Sequence, residues 1–163
     1  MISNYVGKSL CDDSILVRGV HNRDFMEFYT LDVEDDYTAV GIEWFSNLLR
    51  KCDYPDFEFD NFGDFCSFVD CMKSILPKNI DAGLQSMEKT YNTYIYTSSY
   101  KRKYTGQLSI YVTDYGFLTF DRVDKKNKLV WTLSLDKDDV KSLTSKLIKL
   151  KNKLKKLVQN KNM

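Results

Sequence analysis

The first third of the chain carries two short runs of strand character and then a segment with helical spacing. Residues 15–20 and 25–31 are rich in β-branched and aromatic side chains, and polar residues separate them, so they predict a β-hairpin. After an acidic turn, Ile42, Phe45 and Leu49 recur at intervals of three and four, as on one face of a helix. We therefore expect a helix over about residues 39–51.

A second helix is predicted after a loop at 53–60. Asp60 or Asn61 suits its N-cap, and Pro77 ends it because proline cannot continue a helix. Apolar residues recur between these limits at steps of three and four, which places them on one stripe; they are Phe62, Phe65, Val69, Met72 and Leu76. A shorter helical stretch is expected over about residues 80–89.

Alternation of apolar and polar residues dominates the next region. The runs 91–98, 107–113, 116–123 and 128–135 have a period of two and are separated by short turn sequences, which predicts a four-stranded antiparallel meander. Its inward face is predicted to hold Leu108, Ile110, Val112, Leu118, Phe120, Leu129, Trp131 and Leu133. The opposite face would present Ser109, Tyr111, Thr113, Thr119, Asp121, Thr132 and Ser134 to water or to a partner.

The last predicted helix is basic and amphipathic. Asp136 suits its N-cap, and apolar residues from Val140 to Leu157 recur at helical spacing with lysines between them. A helix over 137–158 would be about 33 Å long, longer than a small sheet usually covers. We expect its first half to pack on the sheet, and its far end to project, to form a dimer or to meet a partner, so the chain is a monomer or a dimer through this helix.

Together these elements predict one α+β domain over residues 1–163: an N-terminal β-hairpin, two to three helices, a four-stranded antiparallel meander and a long basic C-terminal helix. The length of 163 residues and the 43% hydrophobic content suit a single domain with a sizeable core. No apolar run approaches the ~18 residues of a membrane span, and the first residues lack the layout of a signal peptide. A cytoplasmic protein is therefore expected.

Candidate catalytic groups are few. The sequence contains no P-loop, GxGxxG, GxSxG or HExxH motif, and its single histidine, His21, would need a cysteine nearby in space to form a thiol dyad. The cysteines show neither CxxC nor CxxH spacing; they are Cys11, Cys52, Cys66 and Cys71. We expect reduced thiols, no metal site, no cofactor and no enzymatic activity.

Charge divides the chain into two parts of opposite sign. Residues 1–75 hold 15 acidic against 6 basic residues, a net charge of −9, while residues 76–163 hold 8 acidic against 18 basic residues, a net charge of +10. Such asymmetry points to nucleic acid or to a nucleic-acid-binding partner. The alternative is that the two parts neutralise each other in the fold.

Acidic residues with interspersed aromatic residues form a candidate partner-binding surface, which we call the acidic lobe. Spaced carboxylates could imitate a phosphate backbone and dock in the basic channel of a nuclease; alternatively, the phenylalanines anchor an acidic loop to the protein's own core. The acidic lobe consists of Asp35, Asp36, Asp53, Asp56, Glu58, Asp60 and Asp64.

A second candidate surface interleaves tyrosines with basic residues, because aromatic rings stack on bases while cations meet phosphates. The candidate nucleic-acid-binding residues are Tyr94, Tyr96, Lys101, Arg102, Lys103, Lys125 and Lys126. They belong to a wider basic sheet surface that includes Tyr91, Tyr104, Arg122 and Lys128. The meander followed by Leu133-Ser134-Leu135-Asp136 and a helix is similar to the strand-then-helix ending of PC4-like single-stranded DNA-binding coactivators. That resemblance covers only the last part of the chain and assigns no residue roles.

The choice of amino acids adds a hint about origin. Lysine, asparagine, tyrosine and isoleucine are abundant, whereas alanine and proline occur twice each, a bias of A+T-rich coding sequences such as those of many phages and mobile elements. We therefore predict a non-enzymatic phage or mobile-element protein that blocks a host nucleoprotein complex, in its sharpest form an anti-CRISPR-like inhibitor of a guided nuclease. The alternatives are a single-stranded nucleic-acid-binding protein and an immunity or antitoxin protein.

Overall fold

The computed structural model describes residues 15–20, 24–33, 37–45, 57–75, 89–96, 102–113 and 116–161. Within these ranges lie eight strands and two helices. The strands are β1 (Ile15–Arg18), β2 (Phe25–Val33), β3 (Tyr37–Phe45), β4 (Phe57–Phe59), β5 (Lys89–Tyr96), β6 (Arg102–Val112), β7 (Leu118–Val123) and β8 (Leu129–Leu135). The helices are α1 (Phe62–Ile75) and α2 (Lys137–Lys161).

All eight strands form one open antiparallel sheet in which they follow one another in chain order. Four strands precede α1, and four more precede α2, so the chain passes twice through the same order of elements. The short strand β4 joins the two sets, since Phe57 pairs with Ile42 on β3 and Phe59 pairs with Thr93 on β5.

The sheet is strongly curled. Trp44 on β3 stacks on Trp131 on β8, with ring centroids 5.7 Å apart and an interplanar angle of 4°. The backbone N–H of Val20, just after β1, donates to the carbonyl oxygen of Ser134 on β8 at 2.8 Å. These contacts connect strands that are far apart in the sheet order, so the concave face wraps around the core.

Helix α1 lies against this concave face and fills it with aromatic side chains. Phe68 is fully buried, and its ring centroid lies 5.2 Å from that of Phe59, 5.7 Å from that of Tyr91, 5.9 Å from that of Phe28 and 6.0 Å from that of Phe120. One side chain therefore contacts strands β2, β4, β5 and β7. Asn61 caps the helix, because its Oδ1 accepts the N–H of Asp64.

Helix α2 packs against α1 and β1. Its first turn is capped by Asp136, whose Oδ1 accepts the N–H of Asp139 at 2.9 Å. The buried apolar side chains of α2 are Val140, Leu143, Leu147, Leu150 and Leu154. The expectation that only the first half packs is wrong, since Leu154 is fully buried and Lys151 Nζ lies 2.7 Å from Asp70 Oδ1 of α1.

The predicted fold is wrong in its first half. The helix expected at 39–51 begins instead as strand β3, and the loop expected at 53–60 contains strand β4. The hairpin of β1 and β2 is present, but it starts an eight-stranded sheet rather than standing apart from a four-stranded meander. The physical reason is pairing on both sides: β3 bonds to β2 along its whole length and to β4, which outweighs an apolar spacing of three and four.

The predictions for the second half agree with the strands and with α2 but assign some faces wrongly. Leu129, expected inside, is 57% exposed. The side chains of Ser109, Thr119 and Ser134, expected at the surface, are buried, and the last two are linked by a 2.8 Å hydrogen bond between their hydroxyls. Of the helical stretch expected at 80–89, residues 80–88 lie outside the described residues, and Lys89 begins strand β5.

Candidate functional site

A β-bulge interrupts the pairing of β5 with β6. Thr93 pairs with Gly106 and Tyr94 with Tyr104, so Thr105 is the extra residue on β6. Gly106 has a φ of 129°, a conformation that residues with a side chain rarely adopt. A Cβ atom at this position would also overlap the carbonyl oxygen of Val123. The bulge therefore depends on glycine.

Arg122 on β7 fills the hollow beside the bulge. Its Nη2 donates to the carbonyl oxygen and the hydroxyl of Thr105 at 3.1 and 2.8 Å, and its Nη1 donates to the carbonyl oxygen of Val123 at 2.7 Å. Burial lowers the pKa of Arg122 to about 10, so the side chain stays charged at neutral pH. Arg122 was expected in a basic surface, and that expectation is wrong because the residue is 7% exposed.

Beyond the bulge, two tyrosines form an edge-to-face pair on the convex face. Tyr94 pairs in register with Glu58, which alternates with the inward-facing Phe57 and Phe59, so Tyr94 points to the other side of the sheet. Its ring centroid lies 5.9 Å from that of Tyr104, at an interplanar angle of 67°. Tyr104 is 38% exposed, so this pair presents a ring to solvent.

The hairpin between β7 and β8 borders the same end of the sheet. A Cβ atom on Gly106 would lie 2.9 Å from the carbonyl carbon of Asp124, which shows how closely this hairpin approaches the bulge. The side chains of Lys125, Lys126 and Lys128 on the hairpin are exposed. The lysines of the β7–β8 hairpin thus lie at the same end of the sheet as the rings of Tyr94 on β5 and Tyr104 on β6.

Asp124 orders this lysine-bearing turn. Its Oδ1 accepts the N–H of Lys126 at 2.8 Å and that of Lys128 at 2.9 Å, an arrangement typical of Asx turns. Asn127 adopts a φ of 61°, which asparagine tolerates better than most residues. The bond from the Lys128 amide is the main reason that the pKa of Asp124 is lowered.

The structure brings together part of the predicted nucleic-acid-binding set. Tyr94, Lys125 and Lys126 lie at this end of the sheet. Tyr96, the last residue of β5, pairs in register with Arg102, the first residue of β6. Lys103 is also exposed. Because it is the neighbour of Tyr104 on β6, its side chain belongs to the opposite face of the sheet. Lys101 lies outside the described residues. The prediction that Tyr91 belongs to the wider basic surface is wrong, because its ring lies in the core.

The acidic lobe is described only in part. Glu58 is 5% exposed, so it does not present its carboxylate on the surface. Asp60 is half-buried, and Asp64 lies in the first turn of α1, where the helix dipole favours an anion. Asp35, Asp36, Asp53 and Asp56 lie outside the described residues, and their role stays a prediction.

The remaining candidate chemistry can be placed in part. Cys66 and Cys71 are half-buried free thiols on α1, and burial raises the pKa of both, which lowers their reactivity at neutral pH. Among the described residues, no three or more histidine, cysteine or acidic side chains lie close enough to hold a metal ion. Cys11, Cys52 and His21 are not among those residues.

Neither described helix combines the length and the hydropathy that crossing a membrane requires. Comparison with known proteins gave no match to a family model, a curated protein or a solved structure.

Proposed function

We propose that this chain is a non-enzymatic protein that binds single-stranded nucleic acid at the end of the sheet. The binding surface, which we call the sheet-end surface, consists of Tyr94, Tyr104, Lys125, Lys126 and Lys128. The observation that carries the proposal is the exposed ring of Tyr104 at the same end of the sheet as an ordered turn with three exposed lysines.

Each part of the sheet-end surface has a role in this proposal. The ring of Tyr104 stacks on a base, an interaction worth about 1–3 kcal/mol, and Tyr94 holds that ring in an edge-to-face pair. The lysines of the turn meet backbone phosphates and release counterions. Because the pair offers a single exposed ring, we expect modest, salt-sensitive binding with little dependence on base sequence.

The surrounding structure supports a preformed surface. The buried guanidinium of Arg122 bonds to Thr105 on the bulge and to Val123 before the turn, so one side chain connects both parts of the surface. A surface that is ordered before binding loses less conformational entropy on binding.

The inhibitor hypothesis, including its anti-CRISPR-like form, stays a prediction, as do the immunity and phage-protein hypotheses. In the described part of the acidic lobe, Asp60 and Asp64 are half-buried and Glu58 is buried. A protein partner bound through this lobe would be lost when Asp60 and Asp64 are changed to lysine. The binding proposed for the sheet-end surface does not depend on Asp60 or Asp64.

Fluorescence anisotropy with short labelled single strands of DNA and RNA tests the proposal. Tyr104→Ala should weaken binding by about 1–3 kcal/mol, whereas Tyr104→Phe, which keeps the ring, should bind like the parent. Changing Lys125, Lys126 and Lys128 to Gln should lower the slope of log K against log salt by about 2. Equal affinities for parent and Tyr104→Ala, or no binding by the parent, would contradict the proposal.

A further inference from the structure

Helix α2 has one face that the core does not use. From Val140 to Lys161 its sequence contains eight lysines and no acidic residue. Lys151 is paired with Asp70 on α1. The exposed lysines are Lys141, Lys146, Lys149, Lys153, Lys155 and Lys156.

Four of these lysines form a continuous stripe. Lys146, Lys149, Lys153 and Lys156 follow at steps of three and four and therefore share one side of the helix. The stripe extends about 15 Å along the helix axis. The buried leucines of α2, from Leu143 to Leu154, fix the rotation of the helix, so the stripe faces away from the core and needs no rearrangement to be reached.

The stripe is unfavourable for the isolated helix. Like charges three or four residues apart destabilise a helix by about 0.2–0.5 kcal/mol per pair, and the buried face of α2 is already complete without them. The regular spacing suits a partner with regularly spaced negative charges.

The chemistry of α2 also separates this face from the sheet-end surface. The helix contains no phenylalanine, tyrosine or tryptophan from Lys137 to Lys161, so it has no ring on which an unpaired base could stack. Between Val140 and Lys156 its exposed side chains are lysine, serine and asparagine, which contact phosphates and sugars. A straight row of such groups matches a duplex. Its phosphates lie at regular positions, and they can be contacted while the bases stay stacked.

We infer that the stripe Lys146–Lys149–Lys153–Lys156 is a second binding surface, which takes duplex nucleic acid through its phosphate backbone. The inference does not depend on the proposed function, because it uses another element and another form of nucleic acid.

Two variants with equal net charge test this inference on the full chain. The stripe variant combines Lys146→Gln, Lys149→Gln, Lys153→Gln and Lys156→Gln. The control variant combines Lys73→Gln, Lys89→Gln, Lys103→Gln and Lys155→Gln, which are exposed lysines that belong neither to the stripe nor to the sheet-end surface. Glutamine has a helix propensity close to that of lysine, and a circular dichroism melt of each variant should match or exceed that of the parent.

Binding of both variants to a labelled duplex and to a single strand is then measured over a range of salt. The stripe variant should lose at least about tenfold in duplex affinity, and its salt slope should fall by about 3–4. The control variant should keep most of the parent's duplex affinity. The sheet-end surface is intact in both variants, so their binding to the single strand reports on the proposed function separately.

Three outcomes would overturn the inference. The parent could fail to bind duplex, or both variants could lose duplex affinity equally, which would make net charge rather than the stripe responsible. Analytical ultracentrifugation gives the third: oligomers of the parent that disappear in the stripe variant would show that the stripe binds the acidic half of a second copy instead.

Discussion

The guanidinium carbon of Arg122 lies 4.5 Å from the centre of the Phe57 ring, and this contact joins β7 to β4 across the concave face. The register also shifts at Arg122 itself, in the pairing of β7 with β8. A buried cation is tolerated there because its donors meet backbone carbonyl groups and its face meets an aromatic ring. Arg122 thus fixes the irregular part of the sheet that leads to the sheet-end surface.

Replacement of Arg122 by methionine should therefore destabilise the fold. Methionine fills much of the same space but leaves the carbonyl groups of Thr105 and Val123 without this donor, and buried acceptors without a partner cost about 1–3 kcal/mol each. Urea unfolding should show a lower midpoint for Arg122→Met than for the parent. Arg122→Lys, which keeps the charge but not the planar fork, should lie between the two. Identical midpoints for all three proteins would contradict the structural role of Arg122.

A second cross-strand contact explains a glycine in the middle of β3. Gly41 pairs in register with Tyr29 on β2, and a Cβ atom at position 41 would overlap the Tyr29 ring. Gly41→Ala should lower the free energy of unfolding by about 1–3 kcal/mol, as overpacking does. Combined with Tyr29→Ala, which removes the ring, the same change should cost much less. Strictly additive effects in urea unfolding would show that the ring is not responsible.

The same glycine shows why the first half of the fold was not predicted from the sequence. Val40 and Ile42 alternate with Gly41 and Glu43, a period of two that fits β3, but the apolar spacing from Ile42 to Leu49 also fits a helix. The pairing partners of β3 decide between the two, and a strand's partners are not visible in its own sequence. In the second half, four consecutive strands share short turns, so each predicted strand supports the next.

Part of the candidate site could be predicted and part could not. The tyrosines and lysines were found because side-chain chemistry is visible in sequence. The burial of Arg122 and Glu58 depends on the bulge and on the pairing of β4, which bring together residues far apart in the chain. The alternation of Phe57 and Phe59 around Glu58 was the one local signal for β4.

Leu154 provides a test of how α2 packs. The sequence allowed a dimer through this part of the helix, but the side chain is fully buried within its own chain. Leu154→Ala should lower the free energy of unfolding by about 2–5 kcal/mol, with no change in solution mass by analytical ultracentrifugation. The exposed neighbour Lys155 is the matched control, since Lys155→Ala should stay within about 0.5 kcal/mol of the parent. A change in mass with unchanged stability would favour a dimer interface.

Asp124 makes the order of the lysine-bearing turn dependent on pH. Hydrogen bonds from the amides of Lys128 and Lys126 favour its carboxylate and lower its pKa in the folded state. A lowered pKa means that this stabilisation is present above the usual Asp pKa and is lost as the pH falls through the lowered value. Protonation should therefore loosen the turn only in acid, and the sheet-end surface should be fully ordered at neutral pH.

An NMR titration of the backbone amides measures this directly. The amide resonances of Lys126 and Lys128 should shift with a shared midpoint below the usual range for aspartate, while the Lys125 amide, which does not bond to this carboxylate, should shift less. In Asp124→Asn the side-chain oxygen still accepts both bonds but cannot titrate, so the turn should persist and the shared transition should disappear. A midpoint at or above the usual range, or a transition that survives in Asp124→Asn, would show that another group controls the turn.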